Sequence, residues 1–207
     1  MNDSQASRIG HMSPKPYPNQ VINKTIEFIY EQLSAWRDDP LRNSEHKEEK
    51  LNSQLCHFLN SKDEFPNLRF HHEEFQAGDK QVDISVHFSK TTLFAGETKS
   101  IYDPILVAEC KRLYNSNKEY VTGGKKDSGG IQRFKLGQHG GKHDIAIMIG
   151  YIQDKSPKDW HIKINKWISF LAVGRWGDDF DFPEFESIKQ EAYESCKMLN
   201  PYCCEWN

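Results

Sequence analysis

Apolar residues recur at helical spacing over Val21, Ile22, Ile26, Ile29, Tyr30, Leu33 and Trp36, and Pro40 closes the run. This pattern predicts an amphipathic helix over residues 20–37. A second helix is expected over 45–60, where Leu51, Leu55, Phe58 and Leu59 define one face and Glu48 lies three and seven residues before the first two of them. That phase puts a carboxylate on the buried side. Beyond Pro66, residues 68–75 and 81–88 read as β-strands joined through Ala77-Gly78-Asp79-Lys80, an antiparallel hairpin. In the second strand Val82, Ile84 and Val86 alternate with Asp83, Ser85 and His87.

Residues 91–100 fit neither period. Asp103-Pro104 marks a break, and Ile105-Leu106-Val107-Ala108 is the apolar run of an interior strand that ends in Glu109-Cys110-Lys111. A loop rich in Gly, Lys and Asn then leads to a short helix opening near Ile131-Gln132-Arg133-Phe134. Residues 144–152 form a second buried strand. Ser156-Pro157-Lys158-Asp159 is a capped helix start, and Trp160, Ile164, Trp167, Ile168 and Leu171 line the face that follows. An edge strand over 172–176 and a terminal helix over 184–199 complete the expectation. The order of elements predicts an α/β fold.

No internal repeat divides the chain. Its 207 residues suit one domain over 20–176 with an acidic helical appendage, 177–207, packed on it. Residues 1–19 are expected to be disordered or a cloning remnant, since they include Gly10-His11-Met12. A 12% aromatic content sets the chain apart from disordered proteins despite its mean hydropathy of −0.77. The longest near-continuous apolar run, 145–152, is far short of the roughly 20 residues a membrane helix needs, so no membrane partner is expected. The five cysteines lack the pairing of a zinc site or a disulfide scaffold, which implies free thiols and a cytoplasmic location. Cys110 is read as a core residue that strand alternation turns away from its neighbours.

The net charge of −3 conceals an uneven distribution. Between positions 111 and 142 eight Lys or Arg face two acids, a local +6; from 177 to 207 eight acids face two lysines, a local −6.

Candidate chemistry centres on Glu109-x-Lys111 at the end of an apolar strand, with Asp83 on a preceding strand and Glu48 on a helix face. Glu97-Thr98-Lys99 has the same spacing but no buried strand in front of it. Three carboxylates facing a core with one lysine leave an excess of about two negative charges, which a divalent cation would neutralise. Oxygen donors without convergent His or Cys select a hard ion, Mg2+ with Mn2+ as its substitute. Such an ion beside a lysine is the equipment of a phosphodiesterase.

Glu48 on a helix, Asp83 on a strand, then Glu109-Cys110-Lys111 and a helix carrying Gln132 together resemble the PD-(D/E)XK nuclease superfamily, whose restriction-endonuclease-like fold implies a central mixed sheet flanked by helices. The resemblance spans roughly residues 45–152. It implies that Asp83 and Glu109 are metal ligands, Lys111 the catalytic lysine, Glu48 an accessory carboxylate and Gln132 a polar residue after the core strand. Val82 stands where the name-giving proline would be, and Glu49 is an alternative to Glu48.

A metal-dependent DNA endonuclease of low sequence specificity is the reading that follows, with Arg112, Lys118, Lys125, Lys126, Arg133 and Lys135 as candidate phosphate contacts. An RNase, a junction-selective nuclease and a non-catalytic nuclease-fold subunit are the alternatives. The resemblance further implies a restriction or antiviral setting with a partner ATPase or sensor subunit, and leaves a homo-oligomer open. The acidic segment after Gly177 reads as a solvated connector, with competition for the basic groove or docking of a partner as its functional alternatives. His71, His72 and His87 are not expected to bind metal together, because adjacent strand residues point to opposite faces.

Overall fold

The computed structural model describes residues 17–76, 80–115, 118–123, 129–135, 143, 145–172 and 203–205 of the chain. Helices α1 (Tyr17–Arg37) and α2 (Glu48–Asn60) precede the hairpin of β1 (Leu68–Gln76) and β2 (Lys80–Phe88). A second, short hairpin follows, β3 (Thr92–Phe94) and β4 (Glu97–Lys99), in the stretch whose sequence fits neither period. Its two-residue turn has positive φ at both Ala95 (57°) and Gly96 (84°), the conformation that matches strand twist in a tight hairpin. Then come β5 (Leu106–Leu113), a 3-10 turn at Lys118–Tyr120, α3 (Gly130–Lys135), β6 (Ala146–Ile152), α4 (Pro157–Ala172) and β7 (Cys203–Glu205).

The main sheet has the order β1-β2-β5-β6-β7. Pairing is antiparallel from β1 through β5 and parallel from β5 through β7, so the sheet is mixed, with helices packed on it. Strand alternation divides the core. Ile84, Val86, Ala108, Cys110, Ile149 and Tyr151 pack against Phe28, Leu33 and Trp36 of α1 and Leu51, Leu55 and Leu59 of α2. Leu113 and Ile152 pack with Ile131 of α3 and Trp160, Ile164 and Trp167 of α4.

Polar contacts fix these layers. Asn60 donates to the Phe70 carbonyl and accepts its N–H (2.8 and 2.9 Å), clamping the end of α2 to β1. The buried Tyr151 hydroxyl donates to Asn52 Oδ1 at 2.7 Å. Ser156 and Asp159 form the reciprocal cap expected at the start of α4.

Several boundaries differ from the sequence expectation, and helix α1 begins at Tyr17, inside the 1–19 stretch expected to be disordered. Helix α2 starts at Glu48 rather than residue 45, because the Glu45 carboxylate accepts the N–H groups of His46 and Lys47 (2.9 and 3.1 Å) and holds that turn outside the helix. Ala172, expected in an edge strand, belongs to α4. Strand β7 was not foreseen; a three-residue segment carries too little pattern to be recognised. Residues 173–199, including the expected terminal helix and the acidic segment, lie outside the described residues.

Leu51, fully buried one turn from Glu48, ties α2 to the sheet. Leu51→Ala is expected to lower unfolding stability by about 2–5 kcal/mol in urea titration; a loss below about 1 kcal/mol would contradict this packing.

Candidate active site

Beyond the Ile84–Ala108 pair the ladder between β2 and β5 stops. Side chains take over the main-chain groups of β5 on that edge. The Cys110 N–H donates to Asp83 Oδ2 at 2.7 Å, and the Cys110 carbonyl accepts from Lys111 Nζ at 2.8 Å. One step further along the same edge, the Arg112 N–H donates to Glu48 Oε2 at 3.0 Å. The hydrogen bonds that finish the strand therefore also position two candidate acids.

Ile84 faces Ala108 in the antiparallel register, so Asp83 shares a sheet face with Glu109 and, two residues on, with Lys111. Cys110 points into the opposite core and is buried, as expected. The Lys111 ammonium lies 2.9 Å from Glu48 Oε1, 3.1 Å from Glu109 Oε1 and 3.4 Å from Asp83 Oδ2. Four oxygens from α2, β2 and β5 thus surround one nitrogen.

Glu109 is 1% exposed and carries a second cation, Arg133 Nη1 of α3, at 3.2 Å. Helix α3 comes this close because it starts with glycine: a Cβ on Gly130 would run into the side chains of Met148 and Glu109.

The electrostatics reflect crowding of like charge. Burial raises the Asp83 pKa; the Lys111 charge opposes this, Glu109 and Glu48 add to it, and the carboxyl ends at about 6. For Lys111, burial acts to lower the pKa, but Asp83, Glu109 and Glu48 outweigh it and hold the ammonium above its ordinary value. Among the described residues no group of three or more His, Cys, Asp or Glu side chains is arranged to hold a metal ion, and here the acids gather around an ammonium.

The structure thus brings together Glu48, Asp83, Glu109 and Lys111. Gln132 has a different place from the one expected of it. It is fully buried, and its Oε1 accepts from Thr122 Oγ1 and the Gly123 N–H, both at 2.9 Å, so it braces the segment before α3. Arg133, expected on a phosphate, is paired with Glu109, since a carboxylate buried this deeply draws a second cation. Sequence reasoning did not place Arg133 in the cluster; the signal was Gly130 three residues before it, which has no meaning without the α3–β5 packing.

Arg112 contacts the His46 carbonyl (3.1 Å) and lies 4.9 Å from the Tyr114 ring centre. Lys118 is exposed on the 3-10 turn. Lys125, Lys126 and the Lys135 side chain lie outside the described residues. Glu97 and Lys99 pair with each other at 2.8 Å on the β3–β4 hairpin. On β1 and β2, His71 stacks edge-on against His87 (4.8 Å), which is hydrogen-bonded to Ser85 (2.8 Å), whereas His72 lies 3.5 Å from Glu73.

Comparison with protein-family models, curated proteins and solved structures finds no match to this chain. None of the described helices is long and apolar enough to cross a membrane.

The raised Asp83 pKa has a definite sign in stability. The unfolded carboxyl ionises near 3.8, so the cost of ionising Asp83 in the fold grows as pH rises from about 4 to about 6 and is complete above that. Asp83→Asn, which keeps an acceptor for the Cys110 N–H, is expected to be more stable than the native chain at pH 7, with the difference vanishing near pH 4. Urea unfolding across that range tests this; a difference independent of pH would refute the charge assignment.

Proposed function

We propose that this chain is a divalent-metal-dependent phosphodiesterase of restriction-endonuclease-like architecture that cuts DNA with little sequence preference. The observation that carries the reading is the meeting of Glu48, Asp83 and Glu109 within 3.4 Å of the Lys111 nitrogen. Three carboxylates against Lys111 and Arg133 leave one excess negative charge in a largely buried space, which favours a further cation.

The donors fit a hard ion. Asp83, Glu109 and the Cys110 carbonyl offer oxygen only, the set suited to Mg2+ or Mn2+, and the Lys111 head would have to move aside. When bound, such an ion supplies Lewis-acid stabilisation at a phosphoryl oxygen and lowers the pKa of water.

The chain's own residues supply the rest. Lys111, released from Asp83 and Glu109, has N–H donors with which to orient an attacking water and stabilise charge growing on phosphorus-bound oxygens. Glu48, fixed by the Arg112 N–H, keeps the lysine near the reacting centre. Arg133 pairs with Glu109 and orients it. Exposed cations of the 111–142 segment, Lys118 among the described ones, would add sequence-independent attraction for the DNA backbone. A cytoplasmic restriction or antiviral role beside a partner ATPase or sensor subunit is part of the same proposal.

Plasmid incubated with Mg2+ or Mn2+ is expected to be nicked or linearised, and EDTA should abolish the cutting. Asp83→Asn and Lys111→Ala should each reduce the rate on the order of a hundredfold or more; metal-independent cutting, or full activity in both variants, would overturn the reading.

The ammonium now in the cluster would compete with the metal, so Lys111→Met is expected to bind Mn2+ at least about tenfold more tightly than the native chain by titration calorimetry. Uptake by neither protein would exclude the metal assignment.

A further inference from the structure

Beside the acidic cluster lies a groove of about 320 Å3 lined by Lys47, Glu48, Glu49, Arg112, Tyr114 and Glu119. We propose that it receives one unpaired nucleotide next to the scissile phosphate, with the base stacked on Tyr114. This rests on the phosphodiesterase reading of the cluster and narrows its substrate to single-stranded or frayed nucleic acid.

Continuity is the first argument. Glu48 belongs to both places: Oε1 faces Lys111, and Oε2 is held by the N–H of Arg112, whose side chain lines the groove. A strand with its phosphate at the cluster therefore has its next unit at the groove.

Size is the second argument. The volume is at the lower end of ligand sites, enough for one nucleoside and far too small for a base pair with its backbone.

The lining chemistry is the third. Tyr114 is half-buried, with the Arg112 guanidinium carbon 4.9 Å from its ring centre, so an aromatic face and a planar cation are combined in one platform. Stacking on such a platform tolerates any base, which suits an enzyme with little sequence preference. Two cations against three carboxylates make the groove a poor seat for a phosphate. Those carboxylates instead accept hydrogen bonds from base amino groups and sugar hydroxyls. The Arg112 Nε is buried with no acceptor among the described residues, so the guanidinium retains donor capacity for an oxygen of the sugar or base after a small shift.

The test uses the full chain with Ca2+ in place of Mg2+ and fluorescence anisotropy of a labelled single-stranded DNA 12-mer and its blunt duplex. Tyr114→Leu is expected to weaken single-strand binding about 5- to 100-fold, the range of one lost base stack, while duplex binding stays within about twofold and Tyr114→Phe binds like the native chain. Circular dichroism of each variant confirms the fold. Unchanged single-strand binding in Tyr114→Leu, or an equal loss for single strand and duplex, overturns the groove assignment. Cutting of the single-stranded 12-mer in Mg2+ by these variants and by Asp83→Asn separates the two ideas: Asp83-dependent cutting with unaltered single-strand binding in Tyr114→Leu removes the groove alone. Tyr114-dependent binding without metal-dependent cutting removes the phosphodiesterase reading and leaves a single-strand binding site.

Discussion

An ammonium held among three carboxylates is the interaction on which this part of the molecule turns. Lys111 joins α2, β2 and β5 through Glu48, Asp83 and Glu109, with all four charged groups partly or wholly removed from water. Without the cation the acids would repel one another in a medium that screens poorly, and burial alone would favour their protonation. The upward shift of Asp83 shows how nearly balanced the arrangement is. A cluster one charge short of neutrality is at once a structural tie and an attractive place for a further cation.

Much of this was legible in the sequence because it depends on periodicity. The phase of Glu48 against Leu51 and Leu55, the alternation that pairs Asp83 with Ser85 and His87, and the apolar run before Glu109 together predict which side chains share a face. They do so before any contact is known. The α/β class followed from the same patterns. What stayed hidden depends on register between distant segments. Arg133 reaches Glu109 only because Gly130 lets α3 approach β5 closely, and Gln132, one residue earlier, turns instead to Thr122 and Gly123. Short pieces such as β7, or the Ala95-Gly96 turn between β3 and β4, carry too few residues for a pattern to appear. The start of α2 was displaced by a local competition, in which the Glu45 carboxylate captures two N–H groups.

The groove beside Glu48 shows how one backbone position can serve two surfaces. On β5, Lys111 faces the acids while the guanidinium of the next residue, Arg112, meets Tyr114. Consecutive residues on a strand thus link a charged centre to an aromatic platform with no intervening loop. The relative position of the two is fixed by strand geometry rather than by flexible segments.

The unfinished ladder along β5 has an evolutionary consequence. Asp83, Lys111 and Glu48 satisfy the main-chain groups of Cys110 and Arg112 that would otherwise be stranded at the strand edge. What the strand edge needs at position 83 is an acceptor for the Cys110 N–H, which an amide supplies as well as a carboxylate. Selection for folding alone would therefore preserve hydrogen-bonding capacity at these positions while leaving their charge free to drift.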